Sequence, residues 1–227
     1  LPKFVYDLVE KAALQATMQG GYVAKEEIAT MLGTASLELF NHFLGRSDER
    51  KPGPHLGLNT RSQQALAPFV RRQQYSENPT GDQLPMTTGQ FTLPADCAYV
   101  EYYDLPGADT VRQVSGFALR IARADVVNGP TKLNPLVTTV ENGDIQIYPA
   151  ETDHGTVQYI ALPPAPVYAE KLDADNNLVY DDTASVDVGW GREHEPDLLE
   201  RTLRLLAQAT RDSQLAGTAG ALTQENS

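Results

Sequence analysis

The sequence is poor in the groups from which catalytic and metal centres are most often assembled. It holds one cysteine, Cys97, in 227 residues, which excludes an intrachain disulfide and any cysteine-cluster metal site. Histidine is scarce as well, with four copies. Basic side chains are outnumbered: 18 Lys plus Arg stand against 30 Asp plus Glu, a net charge of −12. A protein whose main task is neutralising phosphates needs clustered cations, and the pair Arg71-Arg72 is too short to make a nucleic-acid groove. No run of 18 apolar residues occurs, so no segment reads as a membrane span. The first residues lack the basic-then-apolar order of a secretory leader.

What is present is enough for a packed core. Apolar residues make up 41% of the chain and charged residues 21%, which excludes wholesale disorder. The charge is uneven. Residues 1–75 carry 9 basic and 7 acidic side chains, and residues 76–227 carry 9 and 23. Such asymmetry favours solubility and can steer a protein onto an oppositely charged partner. No acidic block reaches five residues, so an ordinary solvated surface accounts for it too.

The N-terminal third reads as helices. Phe4, Val5, Leu8, Val9 and Ala12 recur at steps of three and four and form one apolar stripe. Gly20-Gly21 supplies a stop, and Ile28, Leu32, Ala35, Leu39, Phe40 and Phe43 line a second helix. Arg46 to Gly57 is a polar loop broken by Pro52 and Pro54. A third helix is expected from Thr60 to about Gln74, with Leu66, Phe69 and Val70 inward and Pro68 kinking it or delaying its start.

From Ser76 the period changes. Residues 76–90 read as a Pro, Thr, Gly and Gln-rich linker. Short β-like runs follow at Gln90–Leu93, Ala98–Leu105, Leu136–Glu141, Asp144–Pro149 and Thr156–Leu162. Asn142-Gly143 is a hairpin signal, because both turn residues need positive φ, and Asp153-His154-Gly155 is expected to turn the next pair. Val111 to Val127 fits either period. Val114, Phe117, Ala118 and Ile121 suit a helix, while Phe117, Leu119 and Ile121 suit a strand.

The last third ends in a helix. Pro196 suits its first turn, and Glu193, Glu195 and Asp197 sit where the helix dipole favours negative charge. Leu198, Leu199, Leu203, Leu205, Leu206 and Ala209 give a wide apolar face, with Asp197–Arg201 and Glu200–Arg204 as i,i+4 pairs. Gly217 to Ser227 reads as a flexible tail. The fold class expected is α+β: N- and C-terminal helices form a bundle around an inserted, antiparallel β-rich domain. The boundaries expected are 1–75 helical, 76–190 β-rich with long loops, 191–216 helical and 217–227 tail.

Residue chemistry offers no catalytic centre, no metal site and no cofactor cradle. His42 lies on a helix, His55 and His154 in turns, and His194-Glu195 lacks the second histidine of a metalloprotease helix. Asp173 to Asp181 starts like a calcium loop, but Leu178 and Ala184 stand where glycine and a bidentate glutamate are required, so a turn is the reading. No Gly-x-Ser-x-Gly and no phosphate loop occurs. Cys97 has no nearby histidine. A hydrolase built on carboxylates such as Glu101 and Asp104 lacks any sign of a perturbed pair. The tyrosines at 99, 102, 103, 148, 159 and 168 can stack on sugars, but tyrosine is also a good strand former.

The order of short segments carries more. Tyr22 to Phe43 after Gly-Gly, Leu66-Ala67-Pro68-Phe69 and Phe91-Thr-Leu-Pro-Ala-Asp96 come first. Then follow Asn134-Pro135 with Gly143-Asp-Ile-Gln-Ile-Tyr-Pro149, Leu162-Pro-Pro-Ala-Pro-Val167, Ser185-Val-Asp-Val-Gly-Trp190 and the helix Asp197 to Leu215. In this order they resemble the neck, or head-to-tail connector (adaptor), proteins of tailed bacteriophages, especially those of short-tailed crAss-like phages. The resemblance spans nearly the whole chain through degenerate motifs, and Val111–Asn128 matches only loosely.

The resemblance implies a non-enzymatic virion protein, made in the host cytoplasm and built into the phage neck. It implies a homo-oligomeric ring, commonly of twelve copies, seated under the portal protein beside other neck and tail proteins. DNA would pass through the lumen without sequence-specific binding, and an acidic lumen would repel it. Contact with the portal or a neighbouring copy is expected from Leu198, Arg204, Leu205, Arg211 and Leu215 in the last helix, and from Pro163, Pro164, Val167 and Tyr168 in the proline-rich segment. The alternatives are a second neck ring or tail-tube protein away from the portal, and a carbohydrate-binding virion accessory module.

Overall fold

The structure, a computed structural model, describes residues 3–18, 23–45, 60–109, 111–125, 129–140 and 144–209. The chain opens with three helices, α1 (Phe4–Met18), α2 (Lys25–Leu44) and α3 (Thr60–Leu66), the last followed by a 3-10 turn at Ala67–Phe69. Four strands come next: β1 (Val70–Ser76), β2 (Leu84–Pro85), β3 (Gln90–Phe91) and β4 (Cys97–Asp104). Then β5 (Arg112–Gln113) leads into α4 (Gly116–Ala124), followed by β6 (Leu136–Thr139), β7 (Ile145–Tyr148) and β8 (His154–Ala161). A hairpin of β9 (Glu170–Leu172) and β10 (Leu178–Tyr180) precedes the closing helix, α5, over 195–209. The class is α+β, with helices from both chain ends flanking a β-rich region.

The chain divides into two compact units. The helical unit takes residues 1–68 and 163–227, and the β unit takes 69–162. The division therefore falls at Pro68/Phe69 and Leu162/Pro163, not at residues 76 and 190. Two pairings explain the shift. Residues 70–76 form β1, fully paired with β8, so the helix expected through Gln74 ends at Leu66. Residues 163–190 supply core to the helical unit, where Tyr168, Ser185, Val188 and Trp190 are buried.

In the helical unit the expected stripes face inward. Phe4, Val5, Leu8, Val9 and Ala12 of α1 are buried, as are Ile28, Leu32, Ala35, Leu39 and Phe40 of α2. Gly45 ends α2 in the left-handed region at φ 74°, donating its amide to the carbonyls of Asn41 and His42. On α5 the buried stripe is Leu198, Thr202 and Leu206, narrower than the leucine count implies, and Leu199, Leu203 and Leu205 are half-buried. Thr202 donates its hydroxyl to the Leu198 carbonyl at 2.7 Å, so a polar residue sits on the dry face without loss.

The β unit holds two four-stranded sheets, ordered β2-β1-β8-β4 and β3-β7-β6-β5. Most neighbours are antiparallel, but β1–β2 and β5–β6 are parallel edge pairs, so the sheets are mixed where purely antiparallel ones were expected. The stretch read as a linker contributes β2 and the buried Met86, because β2 docks on the free edge of β1. Thr87 pairs with Gln90 across Thr88 (φ 51°) and Gly89 (φ 72°), a two-residue turn with both centres left-handed. A Cβ at Gly89 would come within 3.1 Å of the Ile147 carbonyl oxygen, a second reason for glycine there.

Both sheets send side chains into one core: Tyr75, Tyr103 and Val157 from one, Phe91, Val137, Ile145 and Ile147 from the other. His154 lies inside β8 rather than in a turn. β6 and β7 pair antiparallel, but Asn142-Gly143, Gly20-Gly21, the loop over 46–57 and the tail after 216 lie outside the described residues. The described part of the ambiguous stretch, 111–125, holds β5 and α4. Ser115 settles it by capping α4, its hydroxyl accepting from the Ala118 amide at 3.4 Å.

Candidate functional site

The residues expected at a contact surface separate into inward and outward groups. Leu198, Tyr168 and Pro163 are buried within the chain, so their apolar surface is already covered. Pro164 and Val167 are exposed, and Val167 exchanges backbone hydrogen bonds with Val186. Pro166 is buried and packs on α2, where a Cβ at Gly33 would come within 3.2 Å of its ring. Arg204 is exposed and reaches Glu38 of α2 at 2.6 Å, with Arg201 on the same carboxylate at 3.5 Å. These cations tie α5 to α2 instead of pairing with Asp197 and Glu200 along their own helix. Leu205 is half-buried, and Arg211 and Leu215 lie outside the described residues.

Three polar clasps hold the helical unit together. The Asp187 carboxylate accepts the Phe4 amide at 3.1 Å and the Val5 amide at 2.9 Å, satisfying first-turn donors that α1 cannot pair itself. Trp190 donates its indole N–H to the Ser36 hydroxyl at 2.8 Å, with both residues buried and the Phe43 and His194 rings alongside. Lys25 lies between Glu10 (2.8 Å) and Glu170 (3.0 Å) and donates to the Tyr168 hydroxyl at 3.2 Å. The hydrogen bond the Lys25 ammonium donates to Glu10, with that to Glu170, outweighs burial and holds it in its charged form well above the usual lysine range. Burial, then Glu10, pushes the Tyr168 hydroxyl upward as well.

The β unit carries a groove of about 590 Å³ lined by Thr88, Gln90, Arg123, Asp144, Gln146 and Tyr148 among others. Its polar groups are engaged with one another. Asp144 accepts from Thr92 at 2.7 Å and Gln90 at 3.1 Å, Gln146 donates to the Thr88 carbonyl at 3.0 Å, and Arg123 covers the Tyr148 ring at 4.9 Å. Of the other tyrosines, 75, 103 and 159 are buried and Tyr102 is exposed.

The remaining chemistry is structural in its geometry. His154 Nδ1 is 2.5 Å from Asp153, both exposed, and that bond holds the Asp153 carboxyl below its usual range. His194 packs its edge on Trp190, His42 packs against Phe43, and His55 lies outside the described residues. Burial, then Asp96, pushes the Cys97 thiol up, which disfavours the reactive thiolate. Glu101 accepts from Gln158 at 2.6 Å, and Asp104 is exposed at the end of β4. Asp173 accepts the amides of Asp175 and Asn177, both at 2.9 Å, with Asn176 at φ 59°, which is a turn and not a cation loop. Among the described residues, no group of three or more His, Cys, Asp or Glu could hold a metal ion, and no helix is long and apolar enough to cross a membrane.

Sequence reasoning passed over two features that the structure leaves outward: Phe117 and Ile121 on α4, and Leu172 and Leu178 on the β9–β10 hairpin. The α4 pair was visible as an i,i+4 spacing; the hairpin pair follows only from strand register. No protein-family model matches the chain, and no curated protein matches it.

Proposed function

We propose that the chain is a structural subunit of a tailed-bacteriophage neck, a head-to-tail connector that assembles without catalysis into a ring under the portal. The observation that carries this reading is where the ordered segments of the resemblance fall. Several of them, where the structure describes them, lie at core positions or joints of the fold. Phe91-Thr-Leu-Pro-Ala-Asp96 runs from the buried Phe91 to the turn that starts β4, where the Cys97 amide binds the Pro94 carbonyl at 2.9 Å. Ile145 and Ile147 point into the β core, Leu162–Val167 carries the chain between units, and Ser185–Trp190 supplies the clasps on α1 and α2. A repeated subunit needs faces left for neighbours, and apolar residues are exposed on each unit, Phe117 and Leu133 on the β unit and Leu178 on the helical one.

The test is mass and shape. Purified protein, alone and mixed with the portal ring of its phage, is examined by light scattering and negative-stain microscopy. Expected are annular particles whose mass is a multiple of 24.8 kDa. A chain that stays at one subunit in both preparations overturns the reading.

A carbohydrate-binding accessory module is the second reading, favoured by the amide- and hydroxyl-lined groove around Tyr148. Arg123 already stacks on that ring, so a sugar would have to displace it. A glycan-induced change in tyrosine fluorescence that Tyr148→Ala abolishes would favour this reading over the ring.

A further inference from the structure

The β9–β10 hairpin and α4 each present an apolar pair in a charged surround, and the surrounds have opposite sign. On the hairpin, Leu172 and Leu178 are direct cross-strand partners, 61% and 68% exposed. Their face of the ribbon is set by the period of two. Tyr180, two residues from Leu178, lies 4.9 Å from the Tyr6 ring and 5.5 Å from that of Tyr168, so this is the face that packs on α1. The face therefore runs from the packed Tyr180 to a leucine pair facing water. Around it the segment Glu170–Asp182 has five acids (170, 173, 175, 181 and 182) and one base, Lys171. An isolated two-stranded ribbon is marginal in water, and an uncovered leucine pair makes it more so.

On α4, Phe117 and Ile121 stand at i and i+4, 77% and 62% exposed, while Leu119 on the other side is the residue the helix buries. Between Asp109 and Asp125 the described residues hold Arg112, Arg120 and Arg123 and no acid. The helix thus carries two exposed apolar side chains in a segment of +3, bounded by Asp109 and Asp125, in a protein of net charge −12.

We infer that the hairpin tip of one copy of this chain docks on α4 of the next, the Leu172–Leu178 pair against Phe117 and Ile121 with the acids of one facing the arginines of the other. The inference rests on the ring reading and names the surfaces that would build it. The two patches differ from one another and lie on different units, so the contact is head-to-tail. Where the rotation between copies closes, repetition makes a ring, and the contact leaves one free patch of each kind on any open chain. Like patches repel, hairpin against hairpin and α4 against α4, which disfavours a two-fold dimer.

The full-length protein carries the test, read by sedimentation velocity across a concentration series. Phe117→Ser with Ile121→Ser removes one patch, and Leu172→Ser with Leu178→Ser removes the other. All four side chains are exposed, and far-UV circular dichroism checks that the fold is kept. Each double variant alone is expected to assemble at least about a hundredfold more weakly than wild type. Mixed together, the two variants have one intact hairpin and one intact α4 between them, so a 1:1 heterodimer that grows no further is expected. Should either serine pair disturb folding, Arg120→Glu in one copy and Asp175→Lys in the other weaken assembly singly and restore it when combined in one chain. Wild type that assembles while both double variants assemble equally well overturns the inference and leaves the ring standing. So does loss of assembly with no heterodimer on mixing. Wild type that assembles neither alone nor on a portal overturns both.

Discussion

In the helical unit the side-chain hydrogen bonds that matter reach across the sequence: Asp187 to Val5, 182 residues apart, and Trp190 to Ser36, 154 apart. In the β unit the long-range connections are backbone ladders, with β8 paired on both sides by β1 and β4, around a core of aromatic and aliphatic side chains. The first unit adds polar clasps to its buried helix stripes, two of them from one segment, 185–190, that returns to α1 and α2. The second distributes its cohesion over many equivalent bonds, so the two should fail differently. A clasp lost leaves a buried donor or acceptor without its partner, which costs more than the net worth of the bond; a ladder bond lost is one of many.

The largest effect expected is at Trp190. Trp190→Ala empties a buried site beside Phe43 and leaves the Ser36 hydroxyl unpaired, a loss of about 3–5 kcal/mol. Hydrogen exchange resolved by peptide reads the comparison directly. Protection should fall in α1, α2 and α5 while β1, β4 and β8 keep theirs. Equal loss in both units would show that they unfold as one.

Asp187→Ala should cost less, about 1–2 kcal/mol, because it removes a helix cap without emptying a large side-chain site. Chemical denaturation gives the magnitude, and exchange at the first turn of α1 gives the place. Asp187→Asn, which keeps an acceptor but removes the charge facing the helix N-terminus, should recover part of the loss. If Asn does no better than Ala, the carboxylate's charge is the whole of the clasp.

These clasps also mark where the sequence stops being legible. Helix stripes were readable because their period is local: Leu8, Ile28 and Leu39 are buried as the spacing predicts. Strand β7 was readable from Ile145 and Ile147 alternating into the core. Strand β1 was not, since Val70-Arg-Arg-Gln-Gln-Tyr-Ser76 has no alternation of its own and owes its conformation to β8, more than 80 residues away in most pairs. The linker over 76–90 hid Met86 for the same reason. Asp187 carries no local mark of its role, because the amides it satisfies lie at the other end of the chain. A related limit applies to the contact residues. An apolar stripe states that a face avoids water, not which body covers it, and so Leu198 and Tyr168 proved internal while Phe117, Ile121, Leu172 and Leu178 are outward. The i,i+4 spacing on α4 was in view; its exposure depended on which face β6 takes.

The smallest effect expected lies in the β unit. Tyr103 is buried in its core, and its hydroxyl has no hydrogen-bond partner among the described residues. Tyr103→Phe removes that polar atom without opening a cavity, so stability at neutral pH should hold or rise by up to about 1 kcal/mol. The pH dependence is more telling than the size. Burial pushes the Tyr103 hydroxyl from the usual 10 to about 12, with Cys97 adding to it. The unfolded chain therefore loses this proton first, and between those two values the native state binds more protons than the unfolded one. Stability supplied by the neutral, buried ring is complete below pH 10 and is lost as pH rises towards 12. The fall in denaturation midpoint across that window should be shallower in Tyr103→Phe than in wild type, though not abolished, because burial shifts Tyr75 in the same direction. Trp190→Ala should leave the slope of the β-unit transition untouched. An identical alkaline slope with and without Tyr103 would mean that the hydroxyl reaches water, and the contrast between a clasped unit and a dry-cored one would fall with it.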